Sequence, residues 1–192
     1  MATVYCAGPL FNPPERDEMS AIAALLEAAG HDTFLPQRDG FELADVCRRL
    51  VEQGVPTDEA TAIVNRAIFA LDAHHLLSSD VVVANLNGRV PDEGTVVEAA
   101  LAWHAGKALV LYKNDVRSPF DGVDNPMLSC LTDLHVTDRL ESLPQAVDTA
   151  LRLPATTRVS EVTETGGRIS AFLDTDPGDG QLAAFLRQQV RS

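Results

Sequence analysis

The 192-residue chain is short of lysine, of aromatic residues and of cysteine, and each shortage removes a class of function. Only two lysines occur, Lys107 and Lys113, and 28 acidic residues against 15 basic ones leave a formal net charge of −13. With no Lys/Arg cluster the chain lacks the positive surface that neutralises a phosphate backbone, which argues against a nucleic acid polymer as partner. The same lack argues against an anionic membrane surface. No apolar run approaches the ~20 residues that span a bilayer. The three cysteines (Cys6, Cys47, Cys130) are odd in number, far apart and free of any CxxC pattern. They predict neither a disulfide framework nor structural zinc, and they point to a reducing cytoplasm. The N-terminus MATVYCAGPLF has no basic region and no long apolar stretch, so it does not read as a secretory signal.

What is present is a globular chain, 45% hydrophobic and 22% charged, long enough for one domain with a sizeable core and a small appendage. Residues 3–6 form a short β-prone run stopped by Ala7-Gly8-Pro9. A helical period follows from Glu15 to Ala29, closed by Gly30. Residues 32–35 read as a second strand ended by Pro36. A polar stretch, 37–41, leads into a helix over 42–53, and Pro56-Thr57 opens another that runs to about Leu77. Residues 80–86 (DVVVANL) form the clearest strand, because a nearly continuous β-branched run fits a strand buried on both faces. A helix over 94–105, strands over 108–112 and 134–136, and a helix over 142–153 complete the unit. This alternation predicts an α/β fold: a doubly wound, mainly parallel five-stranded sheet with flanking helices, of the flavodoxin or Rossmann type. Beyond Pro154 the character changes. Residues 154–192 read as an extension, polar at first, broken at Gly166-Gly167, and ending in a short amphipathic helix over 181–190 that docks on the core or on a neighbouring subunit.

In open α/β sheets ligands bind at the C-terminal ends of the strands. The loop after the third strand, within NLNGRVPDEGTVVEAA, is the most informative of these ends. A helix starting near Gly94-Thr95 places Glu98 in its first turn, where the helix dipole would keep a nucleophilic carboxylate ionised. The same Thr95-x-x-Glu98 spacing spells a capping box, the commoner origin of such a pair. Asp92 and Glu93 fit simple helix-start electrostatics. Asp72 lies late in an otherwise apolar helix, where a solvated polar face is the ordinary explanation. His74 and His75 are adjacent, point different ways and lack metal-ligand spacing. Tyr5 sits in a strand expected to be buried, so its hydroxyl needs a partner, either a carboxylate or a backbone carbonyl. Singly, none of these residues decides a function.

Together they form a pattern. The chain resembles the nucleoside 2-deoxyribosyltransferase family over roughly residues 3–137. The resemblance rests on Tyr5-Cys-Ala-Gly-Pro-Leu-Phe11, Pro36-Gln37, Asp72 eight residues before Asp80, Pro91-Asp-Glu-Gly-Thr-Val-Val-Glu98, and Asp124-Asn-Pro-Met127. It implies that Glu98 is the nucleophile that attacks the anomeric carbon of a 2′-deoxyribosyl group, and that Tyr5 orients it. Asp72 matches the acid that protonates the departing base. Asp92 and Asn125 match residues that hold the sugar hydroxyls, with Asn125 and Met127 donated by an adjacent subunit. Phe11 and Gln37 match positions that stack on or hydrogen-bond to the base, and Gly8 belongs to the same substrate-binding loop. The implied partners are 2′-deoxynucleosides and free purine or pyrimidine bases, the implied assembly is a homo-oligomer with a dimer as its minimum, and no cofactor or metal is called for.

The residue logic agrees, since two carboxylates on opposite sides of a glycosidic bond give double displacement with retention. Their environments should push the two pKa values apart, with burial raising Asp72 while Tyr5 and the helix N-terminus lower Glu98. The apolar, uncharged loop Ala7–Phe11 favours free nucleosides over 5′-monophosphates, although Arg38 and Arg89 lie in loops at the same edge. Two rivals stand beside base exchange. One is a hydrolase that resolves the same intermediate with water; the other is a non-catalytic nucleotide sensor, which has no need of the full residue set. A receiver-type signalling domain is set aside, because Cys6-Ala7 stands where that fold carries an acidic pair.

Overall fold

Val81–Asn85 is buried along its whole length, and it is the central strand of the sheet. The computed structural model describes residues 1–115, 117, 124–153 and 158–189. Five strands, β1 (Thr3–Ala7), β2 (Asp32–Phe34), β3 (Val81–Asn85), β4 (Ala108–Tyr112) and β5 (Val136–Thr137), pair in the order 2-1-3-4-5. Every pairing is parallel. Parallel neighbours need crossovers, and helices supply them. In chain order these are α1 (Pro13–Ala28), α2 (Pro36–Asp39), α3 (Leu43–Glu52), α4 (Thr57–Ser78), α5 (Glu93–His104), α6 (Pro126–Ser129) and α7 (Leu143–Arg152). The fold is thus α/β with an all-parallel five-stranded sheet.

Alternation along the strands divides the core into two layers. Val4 and Cys6 of β1, with Val81 and Val83 of β3, pack on Met19, Ile22 and Leu26 of α1 and Leu143 and Val147 of α7. Tyr5 and Ala7, with Val82 and Ala84, face the other way onto Leu76 of α4 and Ala99 and Ala102 of α5. Because the side-chain period of a strand is two, this split fixes which residues of β1 reach which layer. At the N-terminal ends, Asp80 ties β1 to β3 by accepting from the Thr3 N–H at 2.7 Å and its hydroxyl at 2.9 Å.

Helix boundaries follow local chemistry. Asn12 caps α1 by accepting from the Glu15 N–H at 3.0 Å, Pro13 and Pro14 supply a pre-set φ, and Gly30 ends the segment at φ +90°. The polar stretch expected over 37–41 instead contains the one-turn α2. There Pro36 starts the turn, and the Asp39 carboxylate accepts from the Leu35 N–H at 2.8 Å. The last strand begins two residues later than expected, because Asp133 and Leu134 adopt positive φ and make a turn.

The chain divides into two compact units, Met1–Ala155 and Thr156–Ser192. The second contains α8 (Val159–Leu173) and α9 (Asp179–Gln189). One helix was expected there, yet α8 runs straight through Gly166-Gly167. A glycine costs a helix only about 1 kcal/mol relative to alanine. Tertiary contacts within the unit offset it: Phe172 stacks on Phe185 with centroids 4.1 Å apart, and Arg168 Nε donates to Gln189 Oε1 at 2.7 Å.

Candidate active site

The strand order reverses between β1 and β3, and open parallel sheets bind ligands at such a switch point. Tyr5 stands on β1 and Glu98 on the helix after β3, the two strands that flank this switch point. The Tyr5 hydroxyl donates to Glu98 Oε1 at 2.5 Å. The phenol is fully buried, and Glu98 is its partner. Burial and the neighbouring Glu98 carboxylate push the Tyr5 pKa far above the usual phenol range, so it remains a donor at any physiological pH.

The capping box does not form. Asp92 is the N-cap of α5, and its Oδ2 accepts from the Thr95 N–H at 2.7 Å and the Thr95 hydroxyl at 2.9 Å. The helix therefore starts at Glu93, earlier than the sequence pattern suggested, and Glu98 falls in its second turn. This corrects the expected electrostatics. The helix dipole fades beyond the first turn, so it cannot offset desolvation at Glu98. Burial pushes the Glu98 pKa up to about 7, against the opposing bond from Tyr5, with smaller upward contributions from the charges of Asp72 and Asp92.

Asp72 sits on α4, half-buried rather than on a solvated face. Burial raises its pKa, opposed by the positive charge that His75 can carry. Its own charge acts on both Tyr5 and Glu98, which places the three groups in one electrostatic neighbourhood. Two rings stand beside this group: Phe34, which the sequence did not single out, and His75, which it offered only as a weak metal ligand. Phe34 of β2 stacks on Tyr5 with centroids 5.6 Å apart, and His75, one turn after Asp72, stacks on Phe34 at 3.8 Å. A signal existed for each: Phe34 is the register partner of Tyr5, and His75 shares a helix face with Asp72.

The remaining candidates are spread more widely. Gly8 is a packing requirement at the end of β1, since a Cβ there would collide with the Met19 sulfur and meet Asn85 Cβ at 3.2 Å. Phe11 is 79% exposed. Gln37 is turned onto α1, a helix of the other layer, where its Nε2 donates to the Arg16 carbonyl and to Ser20 Oγ, both at 2.8 Å. The structure thus does not join Gln37 to the Tyr5–Glu98 pair. Asn125 is exposed and caps α6, its Oδ1 accepting from the Met127 N–H at 2.9 Å, while Met127 is 84% exposed. Beneath them Asp124 is buried against Lys113 Nζ at 2.5 Å. Arg38 is committed to Glu27, Asp39 and the Thr33 carbonyl. Among the described residues, no cluster of three or more His, Cys, Asp or Glu could hold a metal ion, and no helix is long and apolar enough to cross a membrane.

No curated protein sequence matches the chain. Among solved structures, a conserved protein from Enterococcus faecalis V583 superposes with a TM-score of 0.55 at 20% identity, covering 78% of this chain and 98% of its own. The 2-deoxyribosyltransferase from Bacillus psychrosaccharolyticus gives 0.53 at 20% identity, over 74% of this chain and 90% of its own. A 2-desoxiribosyltransferase from Leishmania mexicana gives 0.50 at 22%, over 76% and 97%. At such identities the likeness concerns the fold. The family model for nucleoside 2-deoxyribosyltransferase matches residues 4–138, which include Tyr5, Asp72, Asp92, Glu98 and Asn125, and the chain belongs to that family.

Proposed function

We propose that this protein exchanges nucleobases on 2′-deoxynucleosides by double displacement at Glu98. The observation that carries the reading is the 2.5 Å bond from Tyr5 to Glu98, with Asp72 near enough for the charge it can carry to act on both. In the first half-reaction a Glu98 oxygen attacks C1′, the C1′–N bond breaks, and the proton on Asp72 passes to the departing base. In the second, a nitrogen of the incoming base attacks C1′, the C1′–O bond to Glu98 breaks, and the base's proton returns to Asp72. Two inversions give net retention.

Acid and nucleophile must differ in protonation. Burial raises both carboxyl groups, Glu98 to about 7 even with the Tyr5 bond in place, so the division of roles between nucleophile and acid rests on the family pattern and not on the electrostatics of the site. Asp92 holds a sugar hydroxyl with the carboxylate oxygen that Thr95 leaves open, and Gly8 and Phe11, on the loop after β1, serve the base side. The exposure of Asn125 and Met127 supports their completing the pocket of a second copy, in a dimer or a larger closed oligomer. The engagement of Arg38 by acidic neighbours supports an unphosphorylated nucleoside substrate. All of this chemistry lies within residues 1–153, with the extension 154–192 outside it. Three cysteines without a disulfide support a reducing, cytoplasmic setting.

Incubation of deoxyinosine with and without free adenine tests the reading. Deoxyadenosine is expected only with adenine present. Equal release of free deoxyribose in both tubes, with no new nucleoside, overturns transfer in favour of hydrolysis. Tight ligand binding with neither product overturns catalysis altogether.

A further inference from the structure

The chemistry proposed above makes no use of Glu18, a carboxylate at the same edge of the sheet. Glu18 belongs to α1, in the layer opposite α5, yet its side chain reaches the C-terminal end of β3. Its Oε2 accepts from Asn85 Nδ2 at 3.0 Å and its Oε1 accepts from Asn87 Nδ2 at 2.6 Å. Asn85 is fully buried, and its Oδ1 accepts from the backbone N–H of Asn87 at 3.0 Å. Asn87 Oδ1 in turn accepts the N–H groups of Asn114 at 2.9 Å and Asp115 at 3.1 Å, just beyond β4. The Asp115 carboxylate closes the set by accepting from the Gly88 N–H at 3.2 Å. Gly88 has φ +117°, a conformation that glycine adopts freely and side-chain-bearing residues rarely do, so the turn is open to glycine here. One continuous series of bonds therefore joins α1, the loop after β3 and the segment after β4.

Glu18 is partly buried and forms no ion pair with the described residues; both of its oxygens are given to side-chain amides. A carboxylate present only for solubility would face water instead. We infer that Glu18 is a positioning residue: through Asn85 and Asn87 it fixes the loop 86–92, and thereby sets where Asp92 and the start of α5 stand relative to Tyr5. The inference rests on the proposed function, in which Asp92 holds the sugar. Fully satisfied polar networks rigidify what they join, whereas removal of one partner leaves the others to pay desolvation.

The donor and acceptor roles can be exchanged, which gives the test. In E18Q the side chain keeps its shape but has one acceptor oxygen for two amides. N87D sets a second carboxylate against Glu18. In the double variant E18Q/N87D, the new amide donates to the new carboxylate. The other oxygen of that carboxylate still accepts the Asn114 and Asp115 N–H groups, and the amide oxygen still serves Asn85. Each single variant should raise KM for deoxyinosine by about tenfold with kcat nearly unchanged, and speed amide exchange in residues 86–92 by a similar factor, the effect of losing one buried hydrogen bond. The double variant should restore both quantities. Unchanged exchange in E18Q, a loss confined to kcat, or a double variant no better than the singles overturns the inference. A wild-type protein that transfers no deoxyribose defeats the functional reading alone, because the exchange measurement still decides the clamp.

Discussion

The Tyr5 hydroxyl lies 2.5 Å from Glu98 Oε1, and among the influences of the described residues on Glu98 it alone favours the ionised form. Burial, Asp72 and Asp92 all oppose ionisation, leaving the carboxyl near neutrality at about 7. The nucleophile of the proposed reaction is therefore poised, and its state depends on a single phenol.

Replacing that phenol should move the balance. In Y5F the stabilising donor is gone and desolvation remains, so the Glu98 pKa should climb further above 7. The acid limb of the kcat/KM–pH profile should shift upward by about one unit, with about a fivefold loss at pH 7. An acid limb at the wild-type position would remove Tyr5 from its proposed role.

The same burial has a stability consequence. The Glu98 pKa of about 7 lies above its ordinary 4.5. The contribution of Glu98 to stability is therefore full below pH 4.5, declines as pH rises to 7, and is lost beyond that. E98Q carries no such charge. Relative to wild type it should gain stability across that window, reaching about 2–3 kcal/mol at pH 8, while transfer is abolished. Urea melts at pH 4.5 and pH 8 measure this, and an equal difference at both pH values would contradict it.

Asp72 is proposed as the proton donor, so its loss should depend on the leaving group. D72N should cost about 10²–10⁴ in kcat for deoxyadenosine, in line with general acid catalysis. A deoxyribosyl donor whose leaving group departs without protonation should be cleaved nearly as fast as by wild type. Equal losses on both donors would point to a structural role.

Asp92 carries two duties that substitution can separate. D92A removes the cap of α5 and should lower stability by about 1 kcal/mol. D92S restores a capping oxygen but not a carboxylate, so stability should recover while KM for the nucleoside stays raised. Recovery of both would leave Asp92 as a cap and nothing more.

Much of the fold is legible along the chain because its signals are local. The β-branched run of β3, the apolar period of α1 and the glycines after helices each mark an element by themselves, although the Asn12 cap and the two prolines start α1 two residues before that period. The one-turn α2 and the uninterrupted α8 are not legible, since one depends on the Asp39 carboxylate folding back and the other on α9 packing beside it. At the site, Tyr5, Asp72, Asp92 and Glu98 stand out through their resemblance to a family pattern, whereas Phe34 and His75 emerge only when strand register and helix phase are combined.

The scarcity of lysine and the acidic surplus argue against nucleic acid from the sequence alone, because charge composition needs no fold to be read. The alternation of strands and helices likewise fixes the α/β class. Two questions are undecidable at that level. Thr95-x-x-Glu98 reads more often as a cap than as a catalytic carboxylate, and only the packing of β1 against α5 gives Glu98 to Tyr5 while Asp92 takes the cap. The sign of the Glu98 pKa shift also depends on how much water the crevice removes, and burial is a property of the assembled layers rather than of any segment.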